Sequence, residues 1–159
     1  MIALLLALLS YGRIDDRLIT FYLDDRDGPA YARAALSAAI SEWTPYLPRR
    51  RWVEVGEVAR VRVRFVETQH AGCYTLENTA AHAFVPISPR AGDIHLRRDF
   101  DWTEERLRFV LMHELGHVLG LPDVYSGGQL MSMVWSGVDG LQAGDRAMVQ
   151  AIYGRRETR

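Results

Sequence analysis

Hydrophobic and polar positions change their spacing several times along the chain, and each change marks a new element. Arg17–Leu23, RLITFYL, is rich in β-branched and aromatic residues and reads as a strand, closed by the turn-prone DDRDGP. Ala30–Trp43, AYARAALSAAISEW, places Ala35, Leu36, Ala39, Ile40 and Trp43 on one apolar helical stripe, and Pro45 stops that helix. RWVEV and RVRVRFVE follow as strands. In the second, Val61, Val63 and Phe65 alternate with Arg60, Arg62 and Arg64, which predicts one buried face and one wet, basic face. After the irregular HAGCYTLENTA, two more short strands are expected in AHAFVPI and GDIHL. WTEERLRFVLMHELGHVLG is the clearest helix. Thr103 is its N-cap, Glu104 and Glu105 oppose the positive helix end, and Gly120 with Pro122 ends it. SGGQLMSMVWSG reads as a loop, and AGDRAMVQAIYG as a last helix ending at Gly154. This order predicts an α+β fold with one twisted sheet packed against two helices.

Composition narrows the picture. At 159 residues and 48% hydrophobic content the chain supports a single domain with one core. A net charge of −1 gives no reason to expect nucleic acid or an anionic membrane as partner. The short runs PRRR and GRRETR read as solvated loop and tail. With one cysteine, Cys73, there is no intrachain disulfide. The opening MIALLLALLS is too short to span a bilayer. It is like the apolar region of a secretory signal, without a basic start or an A-x-A cleavage site. Residues 1–12 are therefore read as a signal peptide or apolar leader, with a mature apolar segment as the alternative, and 13–159 as one domain.

The chemistry concentrates in HELGHVLGLPD, His113–Asp123. On a helix, residues four apart face the same side, so His113 and His117 can offer imidazole nitrogens to one zinc ion. Glu114, rotated by roughly 100° from His113, misses the metal but reaches a water beside it, as a general base requires. Phe109, Val110, Leu111, Leu115, Val118 and Leu119 make the helix apolar around much of its circumference. Two histidines and a glutamate buried there need a partner, and a cation supplies one. Gly120 permits a reversal that brings Asp123 under the same metal. Two histidines and a carboxylate make a working zinc site. Aspartate is shorter than histidine, so the chain at Leu121–Asp123 must approach the ion closely. Its charge also leaves the activated water less acidic than three imidazoles would.

These residues, with Met131 eight positions after Asp123, resemble the metzincin pattern HExxHxxGxxH/D plus Met-turn. Within that clan the chain is most similar to the matrixins, from about Arg17 to Gly154. AAHAFVP, GDIHL, DWT, LMSM and GLQAGDRAMVQAIYG, with Asp145, carry the likeness. It departs from them at Asp123 and Ser132, where matrixins have histidine and tyrosine; GLPD and LMS are similar to snapalysins.

The resemblance implies a metzincin fold with a twisted, mostly parallel sheet of about five strands and two long helices. An HExxH helix, a Met-turn and a C-terminal helix complete it. It implies a zinc endopeptidase that hydrolyses internal peptide bonds through a zinc-activated water, with Glu114 as general base and Met131 as an apolar floor. Ala83, Phe84 and Val85 would offer edge-strand backbone to a peptide. Met133, Val134 and Trp135 would wall the adjoining pocket, unless Trp135 packs in the core. His70, His82 and His95 would hold a second, structural zinc, with Cys73 or Glu77 as fourth ligand. Calcium through loop carboxylates stays open, although LRRDF replaces the family's acidic run. Protein or peptide substrates, a monomeric state and secretion also follow from the resemblance, with no nucleic acid and no stable membrane insertion. Two other readings remain, a non-catalytic zinc-stabilised binding module and a metzincin aminopeptidase.

Overall fold

Leu18 pairs with Arg51, and Phe21 with Val61, so strand β1 (Leu18–Asp24) lies between β2 (Arg51–Glu54) and β3 (Val61–Val66), parallel to both. The computed structural model describes residues 11–70, 76, 78–134 and 137–154. Beyond β3, β5 (Asp93–Arg97) is again parallel, and β4 (Ala81–Ala83) closes the edge antiparallel to β5. The five strands run in the order β2-β1-β3-β5-β4, the mostly parallel sheet that the sequence resemblance implies. The helices are α1 (Ala32–Trp43), α2 (Glu104–Val118) and α3 (Ala143–Tyr153), with a 3-10 turn at Thr44–Tyr46 where Pro45 ends α1. Among the described residues no helix is long and apolar enough to cross a membrane.

The alternation in β3 is realised: Val61, Val63 and Phe65 are buried while Arg62 and Arg64 are only part covered. The α1 stripe is buried in full, Ala35, Leu36, Ala39, Ile40 and Trp43 alike. Trp43 is fully enclosed, and its indole N–H donates to the Met112 carbonyl of α2 at 2.9 Å. One side chain thus fixes α1 against the helix that carries His113 and His117, and its truncation to alanine would cost roughly 3–5 kcal/mol.

β4 is shorter than AHAFVPI suggests. Pro86 has no N–H to donate, and turns at Val85–Ser88 and Ser88–Ala91 curl the chain back toward β5. Phe84 still pairs there, donating to Asp93 O at 2.9 Å and accepting from Gly92 N–H at 3.0 Å. Its main chain therefore faces β5, and alternation turns that of Ala83 toward the open edge. Gly92 is needed at this return: φ is +88°, and a Cβ would sit 2.0 Å from Arg60 O. Cys73, Glu77, Trp135 and residues 1–10 lie outside the described residues.

Candidate metal centre and cleft

Helix α2 begins as its sequence predicts. Thr103 is extended, and its hydroxyl accepts from the Arg106 N–H at 3.2 Å. At the other end Gly120 has φ +94°, and a Cβ there would lie 2.2 Å from Gly12 O. Both the left-handed turn and the close crossing demand glycine. The reversal is sealed by Leu121 N–H donating to Gly116 O at 2.9 Å, and it carries Asp123 back beneath the helix.

Three ligand atoms meet there. His113 Nε2 and His117 Nε2 are 3.1 Å apart, and Asp123 Oδ1 is 3.3 Å from the first and 3.5 Å from the second. Tetrahedral zinc with bonds of about 2.0–2.1 Å separates neighbouring ligand atoms by roughly 3.3–3.4 Å, so the triangle has the size of one ion's coordination face. The tautomers agree. His113 Nδ1 faces Leu130 O and His117 Nδ1 faces Leu121 O, each at 2.9 Å. A carbonyl only accepts, so both Nδ1 atoms carry the proton and both Nε2 atoms present lone pairs. Two lone pairs and a carboxylate at this spacing attract a cation. The His113 and His117 imidazoles, 3.3 and 3.5 Å away, hold the Asp123 carboxyl well below the usual range. Burial pulls the His117 imidazole down, yet the neighbouring Asp123 and Glu114 carboxylates leave it raised.

Glu114 is 6% exposed, and its Oε2 is buried with no hydrogen-bond partner among the described residues. A buried carboxylate oxygen without a partner is costly unless a ligand completes it. Burial raises its carboxyl, opposed by the neighbouring imidazoles of His117 and His113. Glu114 is among the residues lining a cleft of about 990 Å3 between the β4 edge and α2. Ala83 and Val85 line one side, Phe109 and Val110 the other, and Met133 contributes from the loop after Met131. Met133 and Val134 are exposed.

Met131 is fully buried against Gly116 of α2. Its sulfur occupies the space a side chain on Gly116 would need, 2.3 Å from where that Cβ would be. The loop is anchored by Asp145, also fully buried, which accepts from Leu130 N–H at 2.9 Å, Met131 N–H at 3.1 Å and Gln142 N–H at 2.8 Å. The roles of Trp43, Gly116 and Tyr153 are not evident from sequence. The signals were present, in a glycine inside an apolar helix and aromatics closing α1 and α3, but each depends on long-range packing.

His70, His82 and His95 form a second cluster. His95 Nδ1 lies 2.8 Å from His70 Nε2 and 3.1 Å from His82 Nε2. Burial, then the charges of His70 and Arg90, push His82 down to about 4. Burial, with His82 and Arg90, brings His95 to about 3. Both rings are neutral at pH 7, as metal ligands must be. Among the described residues this cluster has three members, and the suggested fourth ligands Cys73 and Glu77 lie outside them.

The chain matches the Matrixin family model over residues 16–154. It is 30% identical to Interstitial collagenase B of Mus musculus, covering 84% of this chain and 35% of that protein. It is 35% identical to Matrix metalloproteinase-19 of Mus musculus, covering 80% of this chain and 26% of that protein. With Matrilysin of Homo sapiens it shares 28% identity over 76% of this chain and 50% of that protein. The chain thus spans half or less of the length of these relatives. With His113, His117 and Asp123 brought together on one cleft, and a family match spanning nearly the whole sequence, the chain belongs to the matrixin family.

Proposed function

We propose that this chain is a zinc-dependent endopeptidase, cutting internal peptide bonds of protein or peptide substrates. The observation that carries the reading is the convergence of His113 Nε2, His117 Nε2 and Asp123 Oδ1 beside the unpartnered Oε2 of Glu114. His113, His117 and Asp123 would hold the ion, which supplies Lewis acidity toward water and the scissile carbonyl when bound. Glu114 accepts a proton at Oε2 from the attacking water and returns it to the leaving amine. Met131 supports the ligands from below and makes no bond to the metal.

The substrate lies extended along the β4 edge, where the outward peptide groups of Ala83 take up its backbone and Val85 lines the cleft. Phe84 is not a backbone contact in this reading, because its N–H and C=O are committed to β5. Met133 borders the neighbouring pocket, and a pocket role for Trp135 comes only from the family resemblance. His70, His82 and His95 hold a second, structural zinc. Residues 13–159 act as one monomeric catalytic domain outside the cell.

A non-catalytic binding module would need the fold and the metal but not a buried base, so Glu114 argues against it. Hydrolysis of an unstructured protein, abolished by a chelator and restored by zinc, tests the proposal. Mass spectrometry of the products separates an endopeptidase from an aminopeptidase. Internal cuts support the proposal; stepwise loss of N-terminal residues alone overturns it.

A further inference from the structure

The two histidine clusters are preset differently. At His113 and His117 a carbonyl behind each ring holds the proton on Nδ1 and aims a lone pair at the ligand position. His70 follows the same rule, with Nδ1 against Glu67 O at 2.9 Å and Nε2 facing the cluster. His95 does not. The nitrogen it turns toward His70 and His82 is Nδ1, and its Nε2 faces Arg90 Nη2 at 3.2 Å. A guanidinium only donates, so His95 Nε2 is the acceptor there, and the proton of the neutral ring sits on Nδ1. That N–H points at the lone pair of His70 Nε2, so a hydrogen bond fills the place a metal would take.

Arg90 is held firmly in this position. Its Nε reaches Asp93 Oδ2 at 3.3 Å, and its Cζ lies 4.6 Å over the centre of the Phe84 ring. Asp93 is itself 5% exposed and fixed from the other side by Arg62 at 2.6 Å. The cation is therefore built into the strand return between β4 and β5.

We infer that Arg90 is a positioning residue that competes with the metal at His70, His82 and His95, making this second site the weaker and more readily emptied of the two. The inference rests on the reading of this cluster as a metal site. When zinc binds His95 Nδ1, the proton on that nitrogen leaves to solvent, and the neutral ring takes one up at Nε2. The new N–H then points at the N–H of Arg90, donor against donor, so the guanidinium must swing away. A side chain that accepts at this position removes the conflict.

The test is zinc counting and stepwise competition with a chromophoric chelator on the zinc-loaded full chain. The proteins compared are wild type, Arg90→Gln, Arg90→Lys and His82→Ala. Arg90→Gln should bind the second zinc about tenfold more tightly than wild type, the scale on which groups behind a ligand act. Arg90→Lys keeps a donor cation and should stay near wild type, and the first zinc should be unaffected in both. A loosened loop would only weaken binding, so a gain identifies the competition. Two equivalents with second-site affinity unchanged or lowered in Arg90→Gln overturn the inference alone. One equivalent in every protein, His82→Ala included, overturns the second site itself and the inference with it.

Discussion

Asp145 and His113 hold the same residue from opposite ends. The Asp145 carboxylate accepts the Leu130 N–H at 2.9 Å, and the Leu130 carbonyl accepts from His113 Nδ1 at 2.9 Å. A buried acid at the start of α3 thereby fixes the ring orientation of His113 on α2. The same carboxylate closes a capping box with Gln142, so the first turn of α3 and the Leu130–Met131 main chain are set together.

Asp145→Ala leaves three N–H groups without their acceptor, those of Leu130 and Met131 buried and that of Gln142 partly so. The variant should lose roughly 2–4 kcal/mol of stability, read by urea unfolding. It should also bind zinc about tenfold or more weakly, since the Leu130 carbonyl no longer holds its place. Stability within a few tenths of a kcal/mol of wild type would show that Asp145 does not anchor the loop.

Gly116 and Met131 should be strongly coupled. A methyl at Gly116 would gain about 1 kcal/mol of helix propensity but meets the Met131 sulfur at 2.3 Å, where overpacking costs about 1–3 kcal/mol. Gly116→Ala alone should therefore destabilise. In a Met131→Ala background, where that sulfur is gone, the same change should be neutral or stabilising. A double-mutant cycle by chemical denaturation reads the coupling, and additive effects would contradict the contact.

Tyr153 joins the N-terminal segment to the metal-site turn: its hydroxyl accepts from Ile14 N–H at 3.1 Å and donates to Leu119 O at 2.9 Å. Tyr153→Phe should cost about 1–2 kcal/mol at neutral pH. Burial pushes the phenol up to about 12. The neutral form is thus favoured in the folded state. Its stabilising effect is whole below the unfolded value near 10 and fades as pH rises through 12. Denaturation midpoints should fall across pH 10–12 in wild type, and less steeply in Tyr153→Phe.

Asp123→Ala should remove one equivalent of zinc, counted by elemental analysis. It takes away the only carboxylate among the described members of that ligand triangle. An unchanged count would take Asp123 off the ligand set.

Much of this was legible from local pattern. The alternation of Val61, Val63 and Phe65 placed β3, and the spacing of His113, His117, Gly120 and Asp123 brought the three side chains together, because helix geometry fixes neighbours along the chain. The extent of β4 was less legible. AHAFVPI has strand-forming residues throughout, but Pro86 and the Ser88–Gly92 return cut pairing short and turned the Phe84 main chain inward. The second cluster was found from histidine positions in the family pattern, whereas the Arg90 contact depends on how the return folds. Trp43, Gly116 and Tyr153 act across 139 residues at the widest, and no local period encodes such contacts.

The central claim is that Glu114 is the base in metal-assisted peptide hydrolysis, and the most direct test pairs activity with metal content. Wild type and Glu114→Ala are assayed on an unstructured protein while bound zinc is counted in both. The account predicts equal zinc and a loss of at least about 100-fold in turnover for Glu114→Ala. Full activity in Glu114→Ala with zinc bound would contradict it.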